Sequence, residues 1–317
     1  MPHPEGGVGL APNFTKRPLG VGWTYHEGIA AWYQSRCVDR STGSLMGDDC
    51  GQPSLEYALN HIDVAAASRK AEWEDEEEWA ADVALCKELV TRYDQWYGPR
   101  GVDPEWPNVR VFVDASGPWI ERTIEVPIGT TGLIYTCRPD LLATHLGTMC
   151  VWEHKTTSPS SMSGLLARMH VEAQPTGELR ALRHAHPDLA RHVSAVTINV
   201  INKKPAKTGR GTTPHFARER VTRTEDDFQQ FDYDVESTLL WIGGMILRWV
   251  ELQEAPHRMD PWEAMRWAFP KLGTMHGACH AYNTQCHFAQ VCQQTGREER
   301  MALSFRPRVP LTTQGAA

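Results

Sequence analysis

The sequence predicts an α/β (α+β) fold in which helices flank a central mixed β-sheet. Two stretches with the helical spacing of apolar residues come before a group of short, alternating apolar stretches, and a third helical stretch separates this group from a further strand. A chain of 317 residues, 41% of them hydrophobic, can bury a core as one elaborated domain or as two small ones.

The first helix is predicted at Gly20–Arg36, after an irregular lead-in of residues 1–19. Its apolar stripe consists of Tyr25, Ile29, Trp32 and Tyr33. This spacing places His26 at the edge of the stripe, where most histidines are packed or capped rather than bound to a metal.

A polar excursion and a helical insertion are predicted next. Cys37–Asn60 is rich in Gly, Ser and Asp and is expected on the surface. The insertion, residues 61–98, has its strongest helical signal from Glu76 to Tyr97, where apolar residues step by three and four. Its Cys86 is expected to lie in the core.

Charged residues then stand at the ends of a predicted hairpin. Strands at Val109–Val113 and Ile120–Val126 come first. The next strand is predicted to end at Asp140, and the chain to turn at residues 147–148 and return antiparallel to Glu153.

Glu153 and Lys155 should project from the same face of their strand, and His154 from the other, because strand side chains alternate. A divalent cation would relieve the repulsion between Asp140 and Glu153 on adjacent strands. Lys155 could then position or deprotonate a water, or stabilise charge on a phosphate oxygen. A solvated charge pair and a turn-forming Asp are the alternative interpretation.

A helix at Ser160–Leu182 is predicted to cross the sheet, and Val193–Ile201 is apolar enough for a central strand. Phe216–Val221 is predicted to be an edge strand with Arg218 and Arg220 on one face and the apolar residues on the other. A long helix that begins at Thr224 is expected to brace the sheet.

Basic residues are concentrated between 203 and 223, although the net charge is −7. The candidate DNA contacts are Lys203, Lys204, Lys207, Arg210, Arg218 and Arg220. A basic segment on an acidic protein is typical of a contact with nucleic-acid phosphates. A solvated hairpin is equally consistent with the pattern.

Three cysteines stand close together near the end of the chain: Cys279, Cys286 and Cys292. Histidines are interleaved with them, and thiolates so close together attract a soft metal ion. The Cys-cluster segment is assigned to residues 256–300, and the tail 301–317 is expected to be disordered.

The chain shows no apolar run at its start and none of membrane-spanning length, so a cytoplasmic protein without membrane association is expected. Eight cysteines in such a protein indicate thiols or metal ligands rather than a disulfide framework.

The residues Asp140, Glu153 and Lys155 resemble the D-x(n)-(D/E)-x-K signature of the PD-(D/E)xK nuclease superfamily. The resemblance is to its RecB-like branch, which includes AddB-type nucleases, CRISPR adaptation exonucleases and many phage homologues. The segment around His26 resembles the family's helix with a metal-binding His, and Gln174 matches its Q-x-x-x-Y-like motif. Glu178 stands where that motif usually has an aromatic residue.

The resemblance implies a restriction-endonuclease-like core at residues 20–255 and a metal-dependent DNA exonuclease. The implied ligands of one or two Mg²⁺ or Mn²⁺ ions are His26, Asp140 and Glu153, with the backbone carbonyl of His154. Lys155 would orient the attacking water, and Gln174 would support the lysine or the phosphate.

The three C-terminal cysteines resemble the family's clamp for a 4Fe-4S cluster, whose fourth cysteine normally precedes the metal-binding His. No cysteine precedes His26. The natural chain could begin further upstream, or Cys37, Cys50 or a histidine could complete the site. Alternatively, three Cys and one His could bind Zn²⁺, or the cysteines could be an empty remnant of such a site.

Two other functions remain open from the sequence. One is a non-catalytic DNA-binding or recombination accessory protein that keeps a vestigial nuclease site. The other is a structure-specific endonuclease with the same site but different substrate access. DNA is the expected partner, with recombination or replication proteins as further partners, while strand preference and oligomeric state are not determined by the sequence.

Overall fold

The computed structural model describes residues 10–12, 17–37, 51–73, 75–105, 108–129, 131–157, 162–203, 216–254, 258–268 and 305–307. The chain divides into two compact units, a larger one at Lys16–Asp234 and a smaller one that combines Met1–Thr15 with Val235–Ala317.

Groups of helices and groups of strands follow one another along the chain. The helices are α1 (Arg17–Gln34), α2 (Leu55–Ser68), α3 (Glu76–Tyr97), α4 (Met162–Met169), α5 (Ala173–Ala185), α6 (Pro187–Ala190), α7 (Glu225–Gln253) and α8 (Pro261–Ala268). The strands are β1 (Leu10–Pro12), β2 (Val109–Val111), β3 (Val113–Asp114), β4 (Gly117–Pro118), β5 (Ile124–Pro127), β6 (Ile134–Cys137), β7 (Leu141–His145), β8 (Thr148–Thr157), β9 (Val193–Asn202), β10 (Phe216–Val221) and β11 (Phe305–Pro307).

The predicted mixed sheet is confirmed. Five strands lie in the order β10-β9-β8-β7-β2, with β8 in the centre. Strands β8 and β9 are parallel, and the other neighbours are antiparallel. The parallel pair requires a crossover, which α4, α5 and α6 provide.

Apolar side chains cover both faces of the sheet. One core cluster joins α1, α2 and α3 to side chains of the sheet such as Trp152. The second joins α4, α5 and the strands β5 and β6 to side chains such as Val151. Consecutive residues of β8 thus face opposite layers, as a period of two requires.

The hairpin that carries the acidic residues differs in detail from the prediction. Asp140 directly precedes β7 and does not end a strand, because the strand before it is β6, which pairs with β5 in a separate two-stranded sheet. The turn falls at Leu146 and Gly147, with φ of 50° and 79°. Two positive φ values between antiparallel strands are typical of a type I′ turn, whose twist matches that of the strands. Glu153 lies within β8, not at its end.

Other helix predictions are confirmed in part. The bounds of α3 and the burial of Cys86 agree with the sequence pattern. Cys37–Asn60 was predicted to be a polar segment on the surface, and this is wrong at both ends. Cys37 is fully buried, and helix α2 already begins at Leu55. The single helix predicted at Ser160–Leu182 is instead two helices, interrupted at residues 170–172.

Helix α7 begins with the predicted cap, in which the Thr224 backbone N–H donates to Asp227 at 2.6 Å and the Thr224 hydroxyl accepts from the Asp227 N–H. Of the apolar stripe predicted to brace the sheet, Phe228 is buried, whereas Ile242 and Ile246 are exposed.

The smaller unit contains a short antiparallel pair between β1 and β11. The predicted irregular lead-in and disordered tail are therefore wrong at these two strands. Leu252 on α7 packs with Ala264 and Ala268 on α8 in a small apolar cluster. Within the described residues, no helix combines the length and the apolar character that a membrane span needs.

Gly28 sets the distance between α1 and its neighbours α2 and α3. A Cβ at this position would lie 2.6 Å from Cδ1 of Ile62 and 2.9 Å from Cγ2 of Val90, both in the core. We expect Gly28→Ala to lower the free energy of unfolding by about 1–3 kcal/mol, because overpacking outweighs the better helix propensity of Ala.

Gly22→Ala in the same helix is the matched control, since a Cβ there would meet nothing within 4 Å. This change should leave stability unchanged or raise it by up to about 1 kcal/mol. Urea unfolding followed by circular dichroism measures both variants. A Gly28→Ala midpoint equal to that of Gly22→Ala would contradict the close packing of α1.

Candidate functional site

The predicted site residues come from four separate parts of the larger unit. In the β7–β8 ladder Leu141 pairs with Trp152, so Asp140 and Glu153 occupy the next opposed positions. Lys155 follows on β8, His26 approaches from α1, and Gln174 from the first turn of α5. The sheet and both helical layers therefore contribute side chains to one place.

Asp140 is held by two donors from different elements. Its Oδ1 lies 2.9 Å from His26 Nδ1, and its Oδ2 accepts the backbone N–H of His154 at 2.6 Å. Only 7% of Asp140 is exposed, so these hydrogen bonds replace the water that the carboxylate would otherwise bind.

Glu121 is a site residue that the sequence pattern did not reveal. Its Oε1 lies 3.9 Å from His26 Nδ1, and its Oε2 accepts from Arg138 at 2.9 Å. The Glu121 backbone has a φ of 51°, a left-handed conformation that costs a residue other than glycine about 1 kcal/mol or more. The Glu121 N–H donates to the Asp140 carbonyl at 3.0 Å, which fixes the strained residue beside the carboxylate.

The side chains of His26, Glu121 and Asp140 form a group that could hold a metal ion. One ligand atom from each lies within 4.8 Å of the others. Glu153, which was predicted as the third ligand, is outside this group, and Glu121 is its third member. The group offers two carboxylates and one imidazole, ligands that suit Mn²⁺ and, through the carboxylates, Mg²⁺.

Glu153 belongs to a second cluster, on the side of β8 that faces α5. Its Oε2 accepts from Lys155 Nζ and from Gln174 Nε2, each at 2.7 Å. Gln174 Oε1 accepts from Lys155 at 3.0 Å, and Gln174 Nε2 also donates to Glu178 at 2.8 Å. Glu178 is thus in direct contact with Gln174.

Burial and charge shift the pKa values of the first group. Burial opposes the charged form of His26, but the charge and the hydrogen bond of Asp140 raise the His26 pKa to about 10. Burial likewise opposes ionisation of Asp140, yet the adjacent His26 holds the Asp140 pKa below its usual range. In the absence of a metal ion the two side chains therefore form an ion pair at neutral pH.

In the second cluster, burial is the main cause of the raised pKa values of Glu153 and Glu178. Loss of water raises the pKa of Glu178 well above its usual range, and the charge of Glu153 raises it further. Burial and then the charge of Asp140 raise the pKa of Glu153. Burial would lower the pKa of Lys155, but the charges of Glu153 and Asp140 outweigh it, so the pKa rises and Lys155 stays protonated at neutral pH.

A buried polar network supports the opposite face of β8. Asn199 Nδ2 donates to His154 Nδ1 at 2.9 Å and lies 3.1 Å from the hydroxyl of Tyr93, which bonds to Tyr33 at 2.8 Å. Burial lowers the pKa of His154 to about 4, so this imidazole is neutral. As predicted, His154 points away from the face of Glu153 and Lys155.

The structure corrects the prediction that Arg218 binds DNA. Its guanidinium lies 3.8 Å from the ring centre of Tyr97 and 4.8 Å from that of Trp152, and it forms an ion pair with Glu105. Phe216 and Arg218 both contact Tyr97 and therefore lie on the same face of β10. The prediction that the apolar residues lie on the face opposite the arginines is wrong for Phe216. A guanidinium enclosed in this way is a structural cation.

The other predicted DNA contacts are only partly within the described residues. Arg220 is exposed on the edge strand β10, and Lys203 is half-buried directly after β9, with its backbone N–H donating to the Thr157 carbonyl. Outside the described residues lie Lys204, Lys207 and Arg210, and also Cys50, Cys279, Cys286 and Cys292. The iron-sulfur or zinc assignment stays a prediction.

No protein-family model matches the sequence, and no curated protein matches it significantly. Among solved structures, the crystal structure of SSO0001 is similar over 66% of this chain and 76% of that chain, with 14% identical residues and a TM-score of 0.29. A TM-score this low does not establish a common fold. The assignment of the candidate site therefore depends on its own geometry.

Proposed function

We propose that this protein is a metal-dependent DNA nuclease, most readily an exonuclease that acts in DNA recombination, repair or replication. The observation that carries the proposal is the convergence of His26, Asp140, Glu153 and Lys155, with Gln174 bonded to the lysine. His26 and Asp140 are 114 residues apart in the sequence, yet His26 Nδ1 lies 2.9 Å from Asp140 Oδ1. This set includes every residue type that hydrolysis of a phosphodiester with a divalent ion requires.

A bound Mg²⁺ or Mn²⁺ ion would lower the pKa of a water ligand and neutralise charge on the scissile phosphate. His26, Asp140 and Glu121 are the side chains best placed to hold that ion. The N–H of His154 orients Asp140, which leaves the other Asp140 oxygen directed at His26. Glu153 fixes the lysine and lies beside this group.

Lys155 acts as a cation rather than as a base. Its raised pKa keeps three N–H donors on the ammonium, and two of its contacts, Glu153 and Gln174, fix its position. The ammonium can therefore orient an attacking water or stabilise the charge that develops on a phosphate oxygen. DNA phosphates would be guided by exposed basic residues such as Arg220.

A non-catalytic DNA-binding accessory protein is the second candidate. Its supporting observation is that Asp140 with His26 and Glu153 with Lys155 already form ion pairs, which would be structural in a protein without catalysis. A structure-specific endonuclease shares the nuclease chemistry and differs only in how the substrate enters.

Lys155→Ala should abolish metal-dependent cleavage, with a loss of at least about a hundredfold, because no other ammonium contacts Glu153 and Gln174 among the described residues. The assay is degradation of end-labelled linear and circular DNA, single- and double-stranded, with Mn²⁺ or Mg²⁺. Loss of linear DNA alone would indicate an exonuclease, and nicking of circles an endonuclease.

Lys87→Ala is the matched control, since Lys87 pairs with Asp63 on the helical insertion. It should cleave like the wild type. Circular dichroism must show that Lys155→Ala is folded. Equal activity of a folded Lys155→Ala protein would refute the catalytic role, and an inactive, metal-loaded wild type would favour the accessory protein.

Binding of Mn²⁺ should release about one proton more in the wild type than in His26→Gln at pH 7. The raised pKa means that His26 is protonated below about pH 10 without metal, and an imidazole must lose a proton to ligate. Apparent affinity should consequently rise with pH throughout the neutral range. Calorimetry in two buffers with different ionisation enthalpies measures the released protons.

His61→Gln is the control for this titration, because His61 pairs with Glu27 away from Asp140. Its proton release should equal that of the wild type. If His26→Gln releases as many protons as the wild type and binds Mn²⁺ equally well, His26 is not a ligand.

A further inference from the structure

Arg138 is an exposed cation beside the candidate metal group. It follows β6 directly and stands two residues before Asp140, with Pro139 between them. A residue before proline favours an extended conformation, in which residues two positions apart point to the same side. Arg138 and Asp140 both contact Glu121, the first through its side chain and the second through its backbone carbonyl.

The carboxylate of Glu121 joins Arg138 to this group. Arg138 Nε lies 2.9 Å from Glu121 Oε2, whereas the other oxygen, Glu121 Oε1, lies 3.9 Å from His26 Nδ1. One oxygen of the carboxylate thus faces the candidate metal ligands, and the other faces the guanidinium. Arg138 is therefore separated from those ligands by a single carboxyl group.

The guanidinium of Arg138 is attached at one edge. Among the described residues, Glu121 is the partner that the structure shows for it, and the contact is made by Nε. The Nη1 and Nη2 groups carry four further N–H donors, and the side chain is 53% exposed. A guanidinium binds a phosphate group through two parallel N–H donors, which the Nη groups can supply.

Two other cations of the larger unit differ from Arg138 in this respect. Lys155 is 22% exposed and contacts both Glu153 and Gln174. Arg218 is 13% exposed and is enclosed by aromatic rings. Arg138 combines a contact to the candidate metal group with donors that solvent and substrate can reach.

We infer that Arg138 binds the DNA phosphate that is positioned for cleavage at the candidate metal group. The Nη groups donate to the non-bridging oxygens of this phosphate and offset the negative charge that grows on them in the transition state. Lys155 remains available to orient the water. This inference rests on the proposed nuclease function and adds to it a residue that contacts the substrate.

A purely structural role for Arg138 is the alternative. Burial raises the pKa of Glu121, and the positive charge of Arg138 opposes this shift. A residue that only holds Glu121 in its ionised form would affect metal binding and would make no contact with DNA. The exposed ion pair contributes little to stability, so Arg138→Gln should fold and can separate the two roles.

The first test is the salt dependence of DNA binding by the full chain in EDTA, measured by fluorescence anisotropy with a labelled oligonucleotide. Loss of one phosphate contact lowers the slope of log affinity against log salt by about 0.7 for a single strand and about 0.9 for a duplex. Arg138→Gln should show this decrease, and Arg138→Lys should keep the wild-type slope. A wild-type slope in a folded Arg138→Gln protein would overturn the inference.

The second test is cleavage with Mn²⁺ at saturating DNA. The kcat of Arg138→Gln should fall about tenfold or more. The variant should bind Mn²⁺ at least as tightly as the wild type, because a cation beside Glu121 is removed. Weaker Mn²⁺ binding with an unchanged salt slope would indicate the structural role. A smaller slope with an unchanged kcat would place the contact on another phosphate. Either result would overturn the assignment.

Arg248→Gln is the matched control, because Arg248 is 58% exposed and pairs with Glu251 in the smaller unit. It should keep the wild-type slope and kcat. Circular dichroism checks the folding of each variant, and Arg138→Met gives the same test if Arg138→Gln does not fold.

The wild-type protein separates this inference from the proposed function. If the wild type cleaves DNA and Arg138→Gln has the same slope and kcat, the inference is overturned and the nuclease assignment stands. If the wild type neither binds nor cleaves DNA, both are overturned.

Discussion

The constraint on which the site depends is the burial of several carboxyl groups in one place. Asp140, Glu153 and Glu178 are 7%, 1% and 2% exposed. Each carboxylate would be strongly unfavourable without donors, because little water reaches it. The donors come from both sides of the sheet, His26 from α1 and Gln174 from α5. Docking of both helical layers is therefore a condition for accommodating the acids, and the site connects the two core clusters.

The face of β8 opposite Glu153 and Lys155 is held in place by its own hydrogen bonds. His154 lies between Glu153 and Lys155 in sequence but faces the aromatic core, where Asn199 fixes its ring. Its backbone N–H nevertheless points to Asp140. Arg218 closes the network by donating to Asn199 Oδ1 at 2.9 Å. An arginine that was predicted to contact DNA thus helps to hold the strand that carries Glu153 and Lys155.

Alternation along a strand was sufficient to predict the shared face of Glu153 and Lys155. The resemblance to a nuclease family was the basis for predicting His26 and Gln174 as site residues. Glu121 could not be found in this way, because its left-handed backbone and its hydrogen bond to the Asp140 carbonyl leave no mark in the sequence pattern. The enclosure of Arg218 by aromatic side chains could not be predicted from the sequence pattern either. Periodicity grouped it with Arg220, whereas its partners Tyr97 and Trp152 come from distant parts of the chain.

Gln174 shows why one residue type is required at the centre of the cluster. Lys155 can only donate, so it must face the amide oxygen, and an ionised carboxylate can only accept, so Glu153 must face the amide nitrogen. A glutamate here would place another carboxylate against Glu153 without a donor. An asparagine would be one methylene too short to reach the lysine and both acids from the same backbone position. The amide is therefore the group that allows one cation and two acids to share a buried site.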